Sequence, residues 1–189
     1  SANGLVEKDI TLKIAQACKA ELEKNTGVKV YLTRTTDKYV SLAGRVQAAK
    51  LLGATLFVSI HMNSSEKKEA NGAEVYYPNA NYNPTVSAEG KQAAQSILNE
   101  LVELGLSDRG VKFLNSTDDE DGEGTYADGS VSDYYSVIRD SKKNGFPGII
   151  VEHAFLTNAD DAKDLKRDAF LTDLGKADAR GILKYCQTR

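Results

Sequence analysis

Apolar positions recur at helical spacing over residues 5–25, where Ile10, Ile14, Ala17, Cys18 and Leu22 share one face. Asn25 to Gly27 stops that pattern. The next segment, "VKVYLTR" (28–34), is rich in β-branched residues and predicts a strand. After the polar "TTDKYV", Ser41 reads as the N-cap of a helix that runs to Leu52 and ends at Gly53. "TLFVSI" (55–60) is apolar on both faces, as expected for a strand covered by helices on either side. The polar loop "NSSEKKEANG" leads to a third strand, "AEVYYP" (73–78), closed by Pro78.

The alternation continues. Residues 86–105 predict an amphipathic helix marked by Ile97, Leu98, Leu101, Val102 and Leu104. "DRGVKF" (108–113) predicts a short turn and strand, and the Gly-rich polar run 115–133 predicts a loop. "YYSVIRDS" precedes a turn at "KNGFPG". "GIIVE" (148–152) predicts a short buried strand, and one or two helices split near Asp168 to Thr172 complete the chain. Strands alternating with helices predict an α/β fold: a single-domain, twisted, largely parallel sheet flanked by helices on both faces.

Composition narrows the classes. The chain has 189 residues, a length that favours one domain with its own core. A formal net charge of −3, with no Lys/Arg cluster, argues against nucleic acid as a partner. No apolar run is long enough to span a membrane. Cys18 and Cys186 fall on helices at opposite ends of the sequence. They suit two separate thiols better than a disulfide framework, although neighbouring helices would permit a bond.

In parallel-rich sheets a ligand sits beyond the carboxyl ends of the strands. "TLFVSI" ends at His61 and "GIIVE" ends at Glu152, so two ionisable groups terminate two buried strands. Glu7, on the apolar stripe of the first helix and in its first turn, points inward and needs a partner. Taken singly, His61 reads as a hydrogen-bonded histidine at the core rim and Glu7 as a carboxylate interacting with a helix dipole. Taken together, a histidine, a glutamate and one further nitrogen donor form a recurrent zinc hydrolase set, with a second carboxylate free to act as general base and acid. Glu152 suits the latter role, and His153 alternates onto the opposite face of its strand.

The blocks "GLVEKDITLKIA", "VYLTRTTD", "SLAGRVQAAKLLGATLFVSIHMNSS", "NGAEVYY", "DRGVK" and "PGIIVEHAFLTN" resemble, in order, zinc-dependent N-acetylmuramoyl-L-alanine amidases of the Amidase_3 type. The resemblance spans nearly the whole chain. It implies a peptidoglycan hydrolase that cleaves the amide between the lactyl group of N-acetylmuramic acid and L-alanine. It implies a Zn2+ cofactor held by Glu7 and His61, and Glu152 as catalytic base and acid. It further implies an exported protein that acts as a monomer on cell-wall muramoyl-peptide. The family opens with a strand and a Gly-His-Gly type block that supplies another zinc ligand, and no histidine precedes Glu7 here. The expectation is therefore an amidase domain over residues 1–189 that lacks this N-terminal strand and its histidine. The alternative is a catalytically silent peptidoglycan-binding relative. A glycosidase using Glu7 and Glu152 is a weaker reading, and a serine hydrolase lacks its G-x-S-x-G elbow.

Smaller expectations attach to other residues. The acidic stretch 117–128 carries Asp119, Asp121, Gly122 and Asp128 in places that faintly resemble a calcium loop. A loop shaping the substrate side is the preferred reading. Tyr126, Tyr134 and Tyr135 are candidate glycan contacts. Arg34 and Arg45 are expected in ion pairs. Asn63 and Asn158 are candidates to bind peptide or orient Glu152.

Overall fold

The computed structural model describes residues 1–25, 27–116 and 124–188. Helix α1 (Glu7–Leu22) buries Ile10, Ile14, Cys18 and Leu22, the stripe its spacing predicts. Helix α2 (Leu42–Leu51) starts where Ser41 Oγ accepts the Gly44 N–H at 3.1 Å, a side-chain N-cap. Strand β1 (Phe57–Asn63) is followed by β2 (Ala73–Tyr76), α3 (Pro84–Glu103) and β3 (Asp108–Lys112). Helix α4 (Ser136–Lys143), β4 (Gly148–Phe155), α5 (Ala159–Leu165) and α6 (Asp168–Cys186) complete the order.

The sheet order is β1-β4-β2-β3. β1 and β4 are parallel, as are β2 and β3, and β2 meets β4 antiparallel. The sheet is thus mixed, with two of three pairings parallel. β4, whose "GIIV" run is buried throughout, lies inside the sheet, where both faces need apolar cover. On one face α1, α3 and α6 enclose a core that includes Ile14, Leu98, Val151 and Leu174. On the other, α2 and α4 close over Val46, Phe57, Val137 and Ile150. Helix α6 packs between α1 and α3 and comes very close to both. A Cβ on Gly175 would lie 2.5 Å from Ile14 O, and one on Gly181 would lie 2.5 Å from Ile97 Cα.

Residues 28–34 depart from expectation. They run without regular structure and pair with no strand. Lys19 Nζ donates to Val30 O at 2.9 Å and Arg34 Nη2 to Lys8 O at 2.6 Å, tethering the segment to α1. Between it and the open edge of β1 lies a slot of about 800 Å3. Its walls include Leu12 and Cys18 of α1, Ala49 beside the other helical layer, and Val58 of β1. The β-prone sequence pairs with no strand among the described residues. β1 is in turn an edge strand.

Other expectations are revised as well. Helix α4 was not evident in the pattern, because Arg139, Ser141 and Lys142 are buried together with Val137 and Ile138. Arg34 and Arg45 bond backbone carbonyls, of Lys8 and Val40, and neither forms an ion pair among the described residues. Cys18 is buried, Cys186 is exposed, and the two are not joined by a disulfide; burial pushes the Cys18 thiol well above its ordinary range. Asp119, Asp121 and Gly122 of the calcium-loop reading lie outside the described residues. Asp128 accepts hydrogen bonds from the backbone N–H and hydroxyl of Ser130. Tyr126 is buried rather than available to glycan, its hydroxyl donating to Asp133 at 2.5 Å. Asp133 in turn meets the fully buried Lys142 at 3.1 Å, and Lys142 also donates to Asn79 O and Oδ1, both at 2.8 Å. This knot fastens the end of the 124–134 segment to α4.

Candidate active site and metal ligands

Three strands place three ionisable residues in one row. His61 of β1 is in register with Glu152 of β4, and Glu152 with Glu74 of β2. Alternation along each strand turns all three side chains to the same face. The β1–β4 register shifts between His61 and Asn63, and the Met62 N–H points by alternation to the open edge of β1. That N–H donates to Glu7 Oε1 at 3.1 Å, and the same oxygen lies 3.0 Å from His61 Nδ1. Glu7 comes from the first turn of α1, carried to the carboxyl end of β1 by the packing of that helix on the strand. The hydrogen bond with His61 holds the Glu7 carboxyl below its ordinary range, against a smaller upward push from burial. His61 Nε2 faces Ser59 Oγ at 3.0 Å.

Glu7 and His61 are each little more than one-third exposed, at 40% and 36% of their side chains, so the pair borders solvent. A carboxylate oxygen and an imidazole nitrogen side by side suit zinc. A catalytic zinc takes three protein donors. Among the described residues no group of three His, Cys, Asp or Glu side chains is arranged to hold a metal ion. The donor chemistry fits, and the donor count is one short.

Glu152 is a different kind of carboxylate. Its Oε2 is buried and has no hydrogen-bond partner among the described residues. Burial raises its pKa to about 7, with the charges of Glu7 and Glu74 adding to the rise and His61 and His153 opposing it. A carboxyl poised near neutrality, beside a histidine–glutamate pair, can accept and return a proton. His153 lies on the opposite face, fully buried, with Nε2 at 3.0 and 2.9 Å from the two Asp178 oxygens of α6 and Nδ1 at 3.3 Å from His61 O. It braces β4 against α6 and the backbone of His61.

Asn63 and Asn158 serve other groups. Asn63 Nδ2 donates to Glu74 Oε1 at 2.9 Å. Asn158 Oδ1 caps α5 by accepting from the N–H groups of Asp160 and Asp161, each at 3.0 Å. Glu74 itself escaped the sequence reading. The signal was a carboxylate inside the otherwise apolar alternation of "AEVY". It is buried and held by four donors: Asn63, Tyr76, Arg109 and Lys112. Tyr76 also meets Tyr135 edge-on, with ring centroids 5.1 Å apart, and Tyr135 meets the exposed Tyr134.

The α/β sheet thus brings a partly exposed His–Glu pair beside a partly buried glutamate whose pKa burial raises to about 7, a grouping able to accept and return a proton. The chain belongs to the N-acetylmuramoyl-L-alanine amidase family (Amidase_3), whose model matches residues 1–184. It is 34% identical over 184 residues to the N-acetylmuramoyl-L-alanine amidase LytC of Bacillus subtilis (strain 168), covering 97% of this chain and 32% of that protein. It is 31% identical over 183 residues to the endolysin of Bacillus phage SPP1, covering 96% of this chain and 59% of that one. The catalytic domain of CwlV, an N-acetylmuramoyl-L-alanine amidase from Bacillus (Paenibacillus) polymyxa var. colistinus, superposes with a TM-score of 0.77 at 27% identity, covering 98% of this chain and 88% of that one. The chain thus spans about a third of one of these curated relatives and three-fifths of the other.

Proposed function

We propose that this chain is the catalytic domain of a peptidoglycan amidase that cleaves the bond between the lactyl group of N-acetylmuramic acid and L-alanine. The observation that carries the reading is Glu152: a partly buried carboxyl, its Oε2 buried and without a hydrogen-bond partner among the described residues, in register with His61, which Glu7 holds in place. In this reading Glu7 and His61 are zinc ligands. Zinc held there would polarise the scissile carbonyl and make water nucleophilic at neutral pH. Glu152 takes the proton of the attacking water and delivers it to the amide nitrogen as the bond breaks. Its raised pKa matches both halves of that transfer at neutral pH. The substrate lies outside the cytoplasmic membrane, so the protein acts there, in the cell wall, periplasm or medium.

The remaining donor is proposed to come from a β-strand seated in the slot beside β1. The slot is bounded by an open strand edge on one side, the irregular segment 28–34 on the other, and residues of α1 and α2 from the two helical layers. Ala2 and Asn3 sit at the carboxyl end of β1, where Asn3 Nδ2 donates to Leu156 O at 2.8 Å and Leu156 N–H to Asn63 O at 2.9 Å. A strand parallel to β1 would therefore finish beside Glu7 and His61.

Digestion of purified muropeptides tests the reading. New amino termini on alanine are expected, without new reducing sugar ends, and Glu152→Ala should remove turnover by a factor of at least about 100. Full activity in that variant would overturn the assigned role. The incomplete donor set favours one second reading, a silent wall-binding relative. Binding of muramoyl peptides with neither metal uptake nor cleavage would select it.

A further inference from the structure

The row His61–Glu152–Glu74 does not end at Glu74. Lys112 Nζ and Arg109 Nε, both from the edge strand β3, donate to the same oxygen, Glu74 Oε2, at 2.6 and 2.9 Å. The other oxygen, Oε1, accepts from Asn63 and from the Tyr76 hydroxyl. Glu74 is thus saturated and nearly inaccessible, with a side chain 5% exposed. The two cations are not saturated. Lys112 has three donors and Arg109 five. Beyond the Glu74 contact, the further hydrogen bond of Arg109 among the described residues is to Asn71 O, at a marginal 3.5 Å. Their side chains are 38% and 34% exposed. Two positive charges share one buried negative charge, which leaves a net positive charge facing solvent. Arg109 is held further by its guanidinium, 4.8 Å from the centroid of the Phe155 ring.

The order of the strands gives this charge a direction. On the amidase reading, which this inference presupposes, the scissile carbonyl lies toward His61 and Glu7 and its nitrogen toward Glu152. The peptide beyond that nitrogen then continues across β2 to β3. Two strand spacings separate β4 from β3, about 10 Å. An extended peptide covers that distance in roughly two to three residues.

We propose that Arg109 and Lys112, buttressed by Glu74, form a subsite for a carboxylate two or three residues beyond the scissile amide. Arg109 and Lys112 are specificity-determining here, and Glu74 is a positioning residue that fixes them before substrate arrives. Charge-assisted hydrogen bonds from a preformed cation pair discriminate strongly between a carboxylate and its amide.

The test compares muramoyl peptides that carry a free carboxylate or a carboxamide at the second residue and, separately, at the third. The wild-type chain should prefer one carboxylate substrate over its carboxamide by on the order of tenfold in kcat/KM. The position at which the preference appears identifies the group bound. Arg109→Gln and Lys112→Met should each bring that ratio close to one, and Arg109→Lys should restore part of it. Raising the ionic strength should lower the wild-type ratio. Equal turnover of carboxylate and carboxamide by the wild type would overturn the proposal. So would variants that slow both substrates alike, the result expected of a purely structural pair; Lys112→Met, on a half-exposed edge position, guards against a folding defect at Arg109. If none of the peptides is cleaved, the amidase reading fails, and calorimetric binding of the same peptides decides the subsite. A retained carboxylate preference would support it, and indifference would overturn it.

Discussion

Glu152 links burial, charge and chemistry in a single side chain. Its folded pKa of about 7 lies above the ordinary value of 4.5, so between those values the folded state holds a proton that the unfolded state has released. Stability is therefore full below about pH 4.5 and declines as the pH rises toward 7. Glu152→Gln removes the ionisation. The variant is expected to melt above wild type at pH 8, by up to about 3 kcal/mol, and level with it near pH 4. Melting curves at the two pH values read this directly, and a constant difference would contradict it. His153 changes stability with pH in the same direction, for a different reason. Burial pushes its pKa down, but Asp178 and the His61 carbonyl outweigh that effect and leave it raised. Both ring nitrogens face oxygen acceptors, which only the protonated ring satisfies fully. Its contribution is present below pH 6.5 and is lost as the pH rises through the folded value. Asp178→Asn leaves the ring without its counter-charge and is expected to cost about 3–5 kcal/mol in chemical denaturation at pH 6. A loss below about 1 kcal/mol would mean that the pair is dispensable.

At the scale of elements, helix α6 depends on residues that show no apolar signal. Gly175 and Gly181 let it approach α1 and α3 at backbone distance. Gly181→Ala would drive a methyl group into the Ile97 backbone, where no flexible side chain can yield. A loss of about 1–3 kcal/mol in thermal unfolding is expected, and an unchanged melt would show that α3 and α6 can separate freely. The same scale explains what was legible in the sequence. The apolar stripes of α1 and α3 and the runs of β1 and β4 announced themselves, because their partners are apolar and their periods are clean. Helix α4 did not, because it buries Arg139 and Lys142 against Asp133 and Asn79, contacts that pattern cannot foresee. His61 and Glu152 were legible as ionisable groups closing apolar runs, although β1 and β4 continue past them to Asn63 and Phe155. Glu74 was not, because its meaning comes from Arg109 and Lys112, which lie 35 and 38 residues further along the chain. Residues 28–34 were read as a strand from composition, yet a strand needs a neighbour to pair with, and composition does not supply one.

For the molecule as a whole, the slot beside β1 is the feature on which the sheet and the proposed metal site both depend. The Phe57 N–H donates to Pro147 O on the β4 side at 2.9 Å, so alternation directs the Val58 and Ile60 N–H groups into the slot. Met62, next in the same series, already meets Glu7 there. A strand in the slot would convert Val58 and Ile60 into ladder donors, cover the apolar faces of Leu12 and Cys18, and bring a third donor to Glu7 and His61. Two forms of the protein test this together: the 189-residue chain, and the same chain extended before Ser1 by a strand-forming segment with a histidine near its end. Hydrogen exchange at Val58 and Ile60 should be fast in the first and slower by about a hundredfold in the second, while Phe57, already bonded to the β4 side, changes far less. Zinc affinity should rise in the extended form and fall again when its histidine is replaced by alanine, with the slowed exchange retained. Unchanged exchange at Val58 and Ile60 would remove the strand from the slot. Slowed exchange without a gain in zinc affinity would keep the strand and reject its role as the source of the missing ligand.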